Sequence, residues 1–223
     1  MKLALMMSTL CIASIGVVGC SSKITQPEEY SGFLQDYSQL KEAKSPSGVP
    51  VMRWVDPKLN INKYTSVYIE PTQLYPKPQP TEKVPQSTLS GITSYYDQAL
   101  KREVSKSLPL ATGPGPGVLV VRAAITAVSS KTEGLKPYEI LPITLVAAAV
   151  STATGIRDQE TNLSTEAVFL DGGTSKIVAQ VVRKGSGKPL ASESQVMKAS
   201  DVKNVIDGWA SDLHQAYLKM KAK

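Results

Sequence analysis

Val118-Leu119-Val120-Val121-Arg122-Ala123-Ala124-Ile125-Thr126-Ala127-Val128 is the stretch that decides the fold. Side chains alternate along an extended chain, so Leu119, Val121, Ala123, Ile125 and Ala127 share one face. The opposite face is largely apolar as well, with Arg122 as the charged exception. A strand with two apolar faces needs cover on both, which predicts a central strand.

Upstream, Tyr64-Thr65-Ser66-Val67-Tyr68-Ile69 is β-branched and aromatic, reads as a second strand and stops at Pro71. Pro71, Pro76, Pro78, Pro80 and Pro85 follow, each fixing its own φ, and predict an extended surface loop. A helix is then predicted from a Ser87 or Thr88 cap to about Ser107. Its stripe of Leu89, Ile92, Tyr96, Leu100, Val104 and Leu108 recurs at steps of three and four. Pro109 ends it, and Gly113-Pro114-Gly115-Pro116-Gly117 turns the chain back into the central strand. Strand, helix and strand in this order predict a parallel crossover.

Downstream, Thr161 to Leu170 and Ser175 to Lys184 flank Asp171-Gly172-Gly173-Thr174, a hairpin signal whose glycines accept positive φ. Leu163, Thr165, Ala167 and Phe169 are expected on one face with Ile177, Ala179 and Val181, and Gly185-Ser186-Gly187 is expected to break the sheet. Ser200 is expected to cap a last helix carrying Val202, Val205, Ile206, Trp209, Leu213, Ala216, Tyr217 and Met220 on its apolar face. Lys203, Asp207, Ser211, Asp212, Gln215 and Lys219 then face water. The fold class is therefore α+β: a two-layer domain with a mixed sheet and both amphipathic helices packed on one face. Tyr30 to Leu40 holds three aromatics and two leucines and is expected to dock on that domain, while Lys41 to Pro50 reads as a loop. Ile140 to Val150 is apolar all round and too short to span a bilayer. It belongs either in the core or at an interface with a second copy, a partner or the membrane surface.

The N-terminus carries an address. Lys2 precedes an uncharged run from Leu3 to Val18, as in a secretory leader. Val17-Val18-Gly19-Cys20 resembles a lipobox, with signal cleavage between Gly19 and Cys20 and lipidation at Cys20. Residues 1–19 are then the signal peptide, 20–29 a lipidated tether, and 30–223 a single α+β periplasmic domain. Ser21 in place of aspartate resembles an outer-membrane sorting signal, with retention as an inner-membrane lipoprotein as the alternative. Of two cysteines, Cys11 leaves with the leader and Cys20 carries lipid, so no thiol remains for catalysis, a disulfide or metal. With 42% apolar and 20% charged residues, the 223-residue composition excludes fibrous, disordered and polytopic membrane classes. The formal charge of +6, of which the leader holds only Lys2, is spread along the chain. It reads as solubility, with attraction to anionic lipid headgroups, lipopolysaccharide phosphates or peptidoglycan carboxylates as the alternative, and no nucleic-acid partner is expected.

Ser31-Gly32-Phe33-Leu34, Asp36-Tyr37-Ser38 and Leu40, with Glu166 through Asp171 and Asp207-Gly208-Trp209-Ala210, together resemble the bacterial lipoproteins of the domain-of-unknown-function family 3313. The resemblance covers roughly residues 30–218 and implies a lipid-anchored envelope domain, with no reaction or cofactor attached.

Chemistry is sparse. One histidine, His214, limits any Ser-His-Asp arrangement, and its helical phase predicts the solvent edge. The Gly113–Gly117 run has prolines where a phosphate loop needs amide donors, and it precedes a strand rather than a helix. Asp36, Glu70, Glu166 and Asp171 are the candidate carboxylates for a hydrolytic pair. Phe33, Tyr37, Trp54 and Trp209 are either core residues or the lining of a ligand groove. No catalytic residue, metal ligand or cofactor is expected. The reading is a non-enzymatic binding or assembly component facing the periplasm, anchored by lipid on Cys20, with an envelope protein or a second copy as partner. The alternative is a carboxylate-dependent hydrolase of cell-wall material.

Overall fold

The computed structural model describes residues 24–132, 159–192 and 194–222. Gly19, Cys20, the leader and the Ile140–Val150 segment lie outside these residues.

One mixed sheet is built from β1 (Lys41–Lys44), β2 (Pro50–Val55), β3 (Ser66–Ile69), β4 (Gln73–Leu74), β5 (Val118–Thr132), β6 (Gln159–Asp171) and β7 (Ile177–Ser186). The order is β1-β2-β7-β6-β5-β3, with β4 also on β5. As the apolar pattern of both faces requires, β5 lies inside the sheet: β6 pairs with it antiparallel and β3 parallel. The parallel β3–β5 pair is joined through α1 (Gln86–Val104), and α2 (Lys203–Lys221) closes the chain. Ile92, Tyr96 and Leu100 of α1 and Ile206, Trp209 and Tyr217 of α2 form one buried cluster with Leu119, Val121, Ala123 and Ile125. Both helices therefore cover the same sheet face, and the α+β reading holds. Across the sheet, Leu34 and Leu40 pack on Val168 and Val182. The Tyr30–Leu40 segment is thus a strap over the outer face, docked on its own domain as expected.

Five local readings differ. The expected loop at residues 41–50 contains β1 and the start of β2, paired antiparallel from Lys41↔Arg53 to Lys44↔Pro50. Lys41-Glu42-Ala43-Lys44 has no apolar alternation because it is an edge strand; its charges discourage pairing with another chain. Helix capping also differs. Pro85 precedes α1, and Thr88 is buried, its hydroxyl donating to the Met197 carbonyl at 2.6 Å. Before α2 a 3₁₀ turn spans Ala199–Val202, and Asp201 Oδ2, not Ser200, accepts from the Lys198 amide at 2.7 Å.

The hairpin turn places Ser175, at φ 58°, in the left-handed region. Gly172 serves a different need: a Cβ there would stand 2.7 Å from the Val118 carbonyl oxygen and 2.8 Å from that of Gly115. The Gly-Pro run and the hairpin turn therefore lie directly against each other. A register shift at Phe169/Leu170 exposes Ile177 and buries Val178 in its place. Gly185, expected to break the sheet, lies within β7, where a Cβ would meet Val205 Cγ1 of α2 at 2.8 Å.

Candidate functional site

Across the middle of the sheet runs the row Arg53–Val181–Ala167–Ala123, each residue the register partner of the next. Two of the four are alanines, so the floor beneath α2 is low where its neighbours carry larger side chains. The result is a cavity of about 470 Å³, within the range of ~300–1,000 Å³ typical of small-molecule sites. Tyr96 and Leu100 of α1, and Trp209, Leu213 and Tyr217 of α2, supply apolar walls; Val51, Val121 and Phe169 extend the floor. Lys44, Arg53 and Lys219 also line it. Lys44 and Lys219 are exposed and Arg53 is half-buried, so these cations lie where the cavity meets solvent.

One wall is ionic. The Arg183 guanidinium donates to Asp212 Oδ2 and lies 5.7 Å from the Trp209 ring centre. Asp212 also accepts from the Ser47 amide at 2.9 Å and the Ser47 hydroxyl at 3.1 Å, tying the β1–β2 turn to α2. Burial opposes ionisation of Asp212, but the hydrogen bonds and charge of Arg183, with those of the turn, hold its carboxyl below the ordinary range. Asp212 therefore does not face water as its helical phase predicted. An ion pair turned inward on an otherwise apolar stripe is invisible to periodicity.

The four candidate carboxylates are held apart, each with its own partners. Glu166 is fully buried on the outer face, accepting from the Ser31 amide at 2.8 Å and the Tyr37 hydroxyl at 2.6 Å. Asp171 accepts from Lys63 Nζ at 2.6 Å, Tyr64 at 3.1 Å and the Thr174 amide and hydroxyl at 2.9 Å. The Lys63 and Thr174 hydrogen bonds keep its carboxyl far below the usual range against the opposing effect of burial. Glu70 takes Arg122 through both oxygens at 2.6 and 3.0 Å. Asp36 caps its own turn through the Ser38 amide at 2.9 Å. These are structural duties, and no pair is assembled around a shared space.

His214 is not at the solvent edge; its side chain is 12% exposed. Its Nε2 meets Ser107 Oγ at 2.8 Å, which outlines a serine–histidine pair. Among the described residues no third member is in place: Glu103 lies 3.9 Å from Nδ1, beyond hydrogen-bonding reach, and is engaged by Lys106 at 2.6 Å. Among the described residues no cluster of three or more His, Cys, Asp or Glu is placed to hold a metal. The sheet also divides the aromatic set: Trp209 walls the cavity, while Phe33, Tyr37 and Trp54 pack around Leu34 on the outer face.

A family model described as a protein of unknown function, DUF3313, matches residues 29–213. The chain belongs to the DUF3313 family. In this DUF3313 domain, two of the three landmark stretches touch: the Ser31–Tyr37 strap closes on Glu166. The third supplies Trp209 to the cavity, and its Asp207 receives the Tyr95 hydroxyl at 2.9 Å and Arg102 at 2.6 Å. The chain is 44% identical over 198 residues to a protein of Escherichia coli K12 described as uncharacterized lipoprotein YdcL, covering 89% of each. Among solved structures it is similar to the PelC dodecamer of Paraburkholderia phytofirmans, at 13% identity and a TM-score of 0.39, over 74% of this chain and 96% of that one. It is also similar to protein XCC0632 of Xanthomonas campestris, at 11% identity and a TM-score of 0.41, over 70% and 86%.

Proposed function

We propose that this DUF3313 protein is a lipid-anchored component of the bacterial envelope that binds an apolar ligand without transforming it. The single observation that carries the binding role is the 470 Å³ cavity, open at one end and walled by Trp209, Tyr96, Leu100, Leu213 and Tyr217. Its size suits a small molecule, and its lining is mostly apolar with a small set of charged groups. The anchoring rests on the Val17–Cys20 lipobox and on the likeness to a protein described as a lipoprotein. With Ser21 after the lipidated Cys20, the domain belongs on the periplasmic side of the outer membrane. The non-enzymatic reading is supported by the carboxylates, each engaged in holding a strap, a turn or an arginine.

The test is recovery of a bound molecule. Solvent extracts of the full chain purified from membranes should contain an apolar compound that is depleted in extracts of Ala167→Leu, whose side chain fills the cavity. Identical extracts from both proteins would overturn the binding role.

A further inference from the structure

The charge at the cavity mouth identifies the class of ligand. Lys44, Arg53 and Lys219 line the cavity. None of the three forms an ion pair or a side-chain hydrogen bond among the described residues, unlike Lys63, Arg102, Lys106, Arg122, Lys176, Arg183 and Lys184. The one acid among the lining residues, Asp212, is already neutralised by Arg183. The apolar space therefore ends in three uncompensated positive charges, which attract an anion and disfavour a cation.

Resting on the proposal that the cavity binds an apolar ligand, we propose further that this ligand is a single-chain anionic amphiphile, a long-chain carboxylate. Its chain lies over Ala123 and Ala167, and its head meets Lys44, Arg53 and Lys219. A volume of 470 Å³ lies in the lower half of the range of small-molecule sites, which favours one chain over the two of a diacyl lipid. Apolar burial along the chain gives affinity, and the cations fix its direction, since most of the remaining lining is aliphatic and aromatic and its one buried arginine is already paired with Asp212.

The experiment uses the full chain carrying Cys20→Ser, which removes the acylation site and with it lipoprotein-type cleavage, titrated calorimetrically with three probes of one chain length. These are dodecanoate, neutral dodecyl maltoside and cationic dodecyltrimethylammonium. Dodecanoate should bind at least about tenfold more tightly than the neutral probe, a margin expected for charge-assisted contacts. The further replacement of Lys44, Arg53 and Lys219 by glutamine should remove that margin while leaving the melting temperature and maltoside affinity unchanged. Equal affinity for dodecanoate and maltoside would overturn the anionic head while leaving the cavity as a binding site. A preference for dodecanoate that survives the triple replacement would overturn the placement at this mouth. Failure of all three probes to bind would overturn the cavity's binding role itself.

Discussion

Tyr37 and Glu166, 129 residues apart in the chain, meet hydroxyl to carboxylate at 2.6 Å on the outer face of the sheet. Glu166 lies in the middle of β6 with no exposed surface, and its other oxygen takes the Ser31 amide at 2.8 Å. A buried carboxylate is costly unless its oxygens are hydrogen-bonded, and here both partners come from the strap. Tyr30 stacks on Tyr37 with ring centres 4.3 Å apart, which shields the contact from one side. The strap is therefore held by the need of Glu166 for donors as well as by the apolar packing of Leu34 and Leu40.

Tyr37→Phe should therefore destabilise the domain by about 2 kcal/mol, the scale of a hydrogen bond to a charged group, as read by urea unfolding. The pH dependence has a defined sign. Burial, followed by the hydrogen bond to Glu166, pushes the Tyr37 phenol up to about 12, whereas an unfolded tyrosine ionises near 10. Its contribution is whole below about pH 10 and is lost as the pH climbs through the folded value. In Tyr37→Phe the alkaline fall in stability should be shallower; an unchanged fall would remove Tyr37 from this role.

Asp212→Asn leaves the Arg183 guanidinium buried without a counter-charge and should cost about 3–5 kcal/mol. Since the Asp212 carboxyl is held below its ordinary range, the wild-type advantage is full above about pH 4 and declines as acid reaches the folded pKa. Unfolding free energies of wild type and variant should converge on acidification. Parallel curves would show that Asp212 is not the linked group.

Ala167→Leu adds side chain to the lowest part of the cavity floor, where space exists to receive it. Cavity filling at such sites commonly contributes about 0.5–2 kcal/mol, so thermal unfolding should shift upward or stay level while dodecanoate binding is abolished. A fall of several degrees with binding intact would mean that the space over Ala167 is not where the ligand lies.

Trp209→Ala removes the ring that meets Tyr96 at 6.2 Å and Arg183 at 5.7 Å and should cost about 3–5 kcal/mol. Equilibrium unfolding in denaturant measures this directly. A loss below about 1 kcal/mol would make Trp209 a ligand contact with little part in the core.

Cys20→Ser should abolish incorporation of a clickable palmitate analogue and leave unprocessed or misprocessed chain. Equal labelling of the two proteins would remove Cys20 as the lipidation site.

Strong periodicity made most of the fold legible. β5, the parallel crossover, the hairpin and both helices follow from apolar spacing between turn residues. Residues 41–50 were illegible because an edge strand of lysine and glutamate buries almost nothing, and its register comes from β2. Ser200 and Thr88 have capping chemistry, but tertiary packing diverts Thr88 to Met197 and leaves the α2 entry to Asp201. The cavity itself was hidden for a plainer reason. It exists because Ala123 and Ala167 sit in one cross-strand row, and pairing between strands that distant in sequence is not written in either strand alone. Its cations are hidden with it, since Lys44 and Arg53 belong to a hairpin whose first strand has no apolar alternation.

The strap also determines how force enters the domain. A pull arriving from the N-terminal side passes buried Thr25 and reaches Glu29, held by Lys184 at 2.8 Å, and the Ser31 and Tyr37 bonds to Glu166. These contacts lie on the outer face, while the helices and the cavity lie across the sheet. Tension from membrane motion or wall turnover would therefore load β6 and β7 from one side, and the strap would peel before the helix layer opened. A domain anchored as proposed and built this way takes tension on the face opposite its cavity.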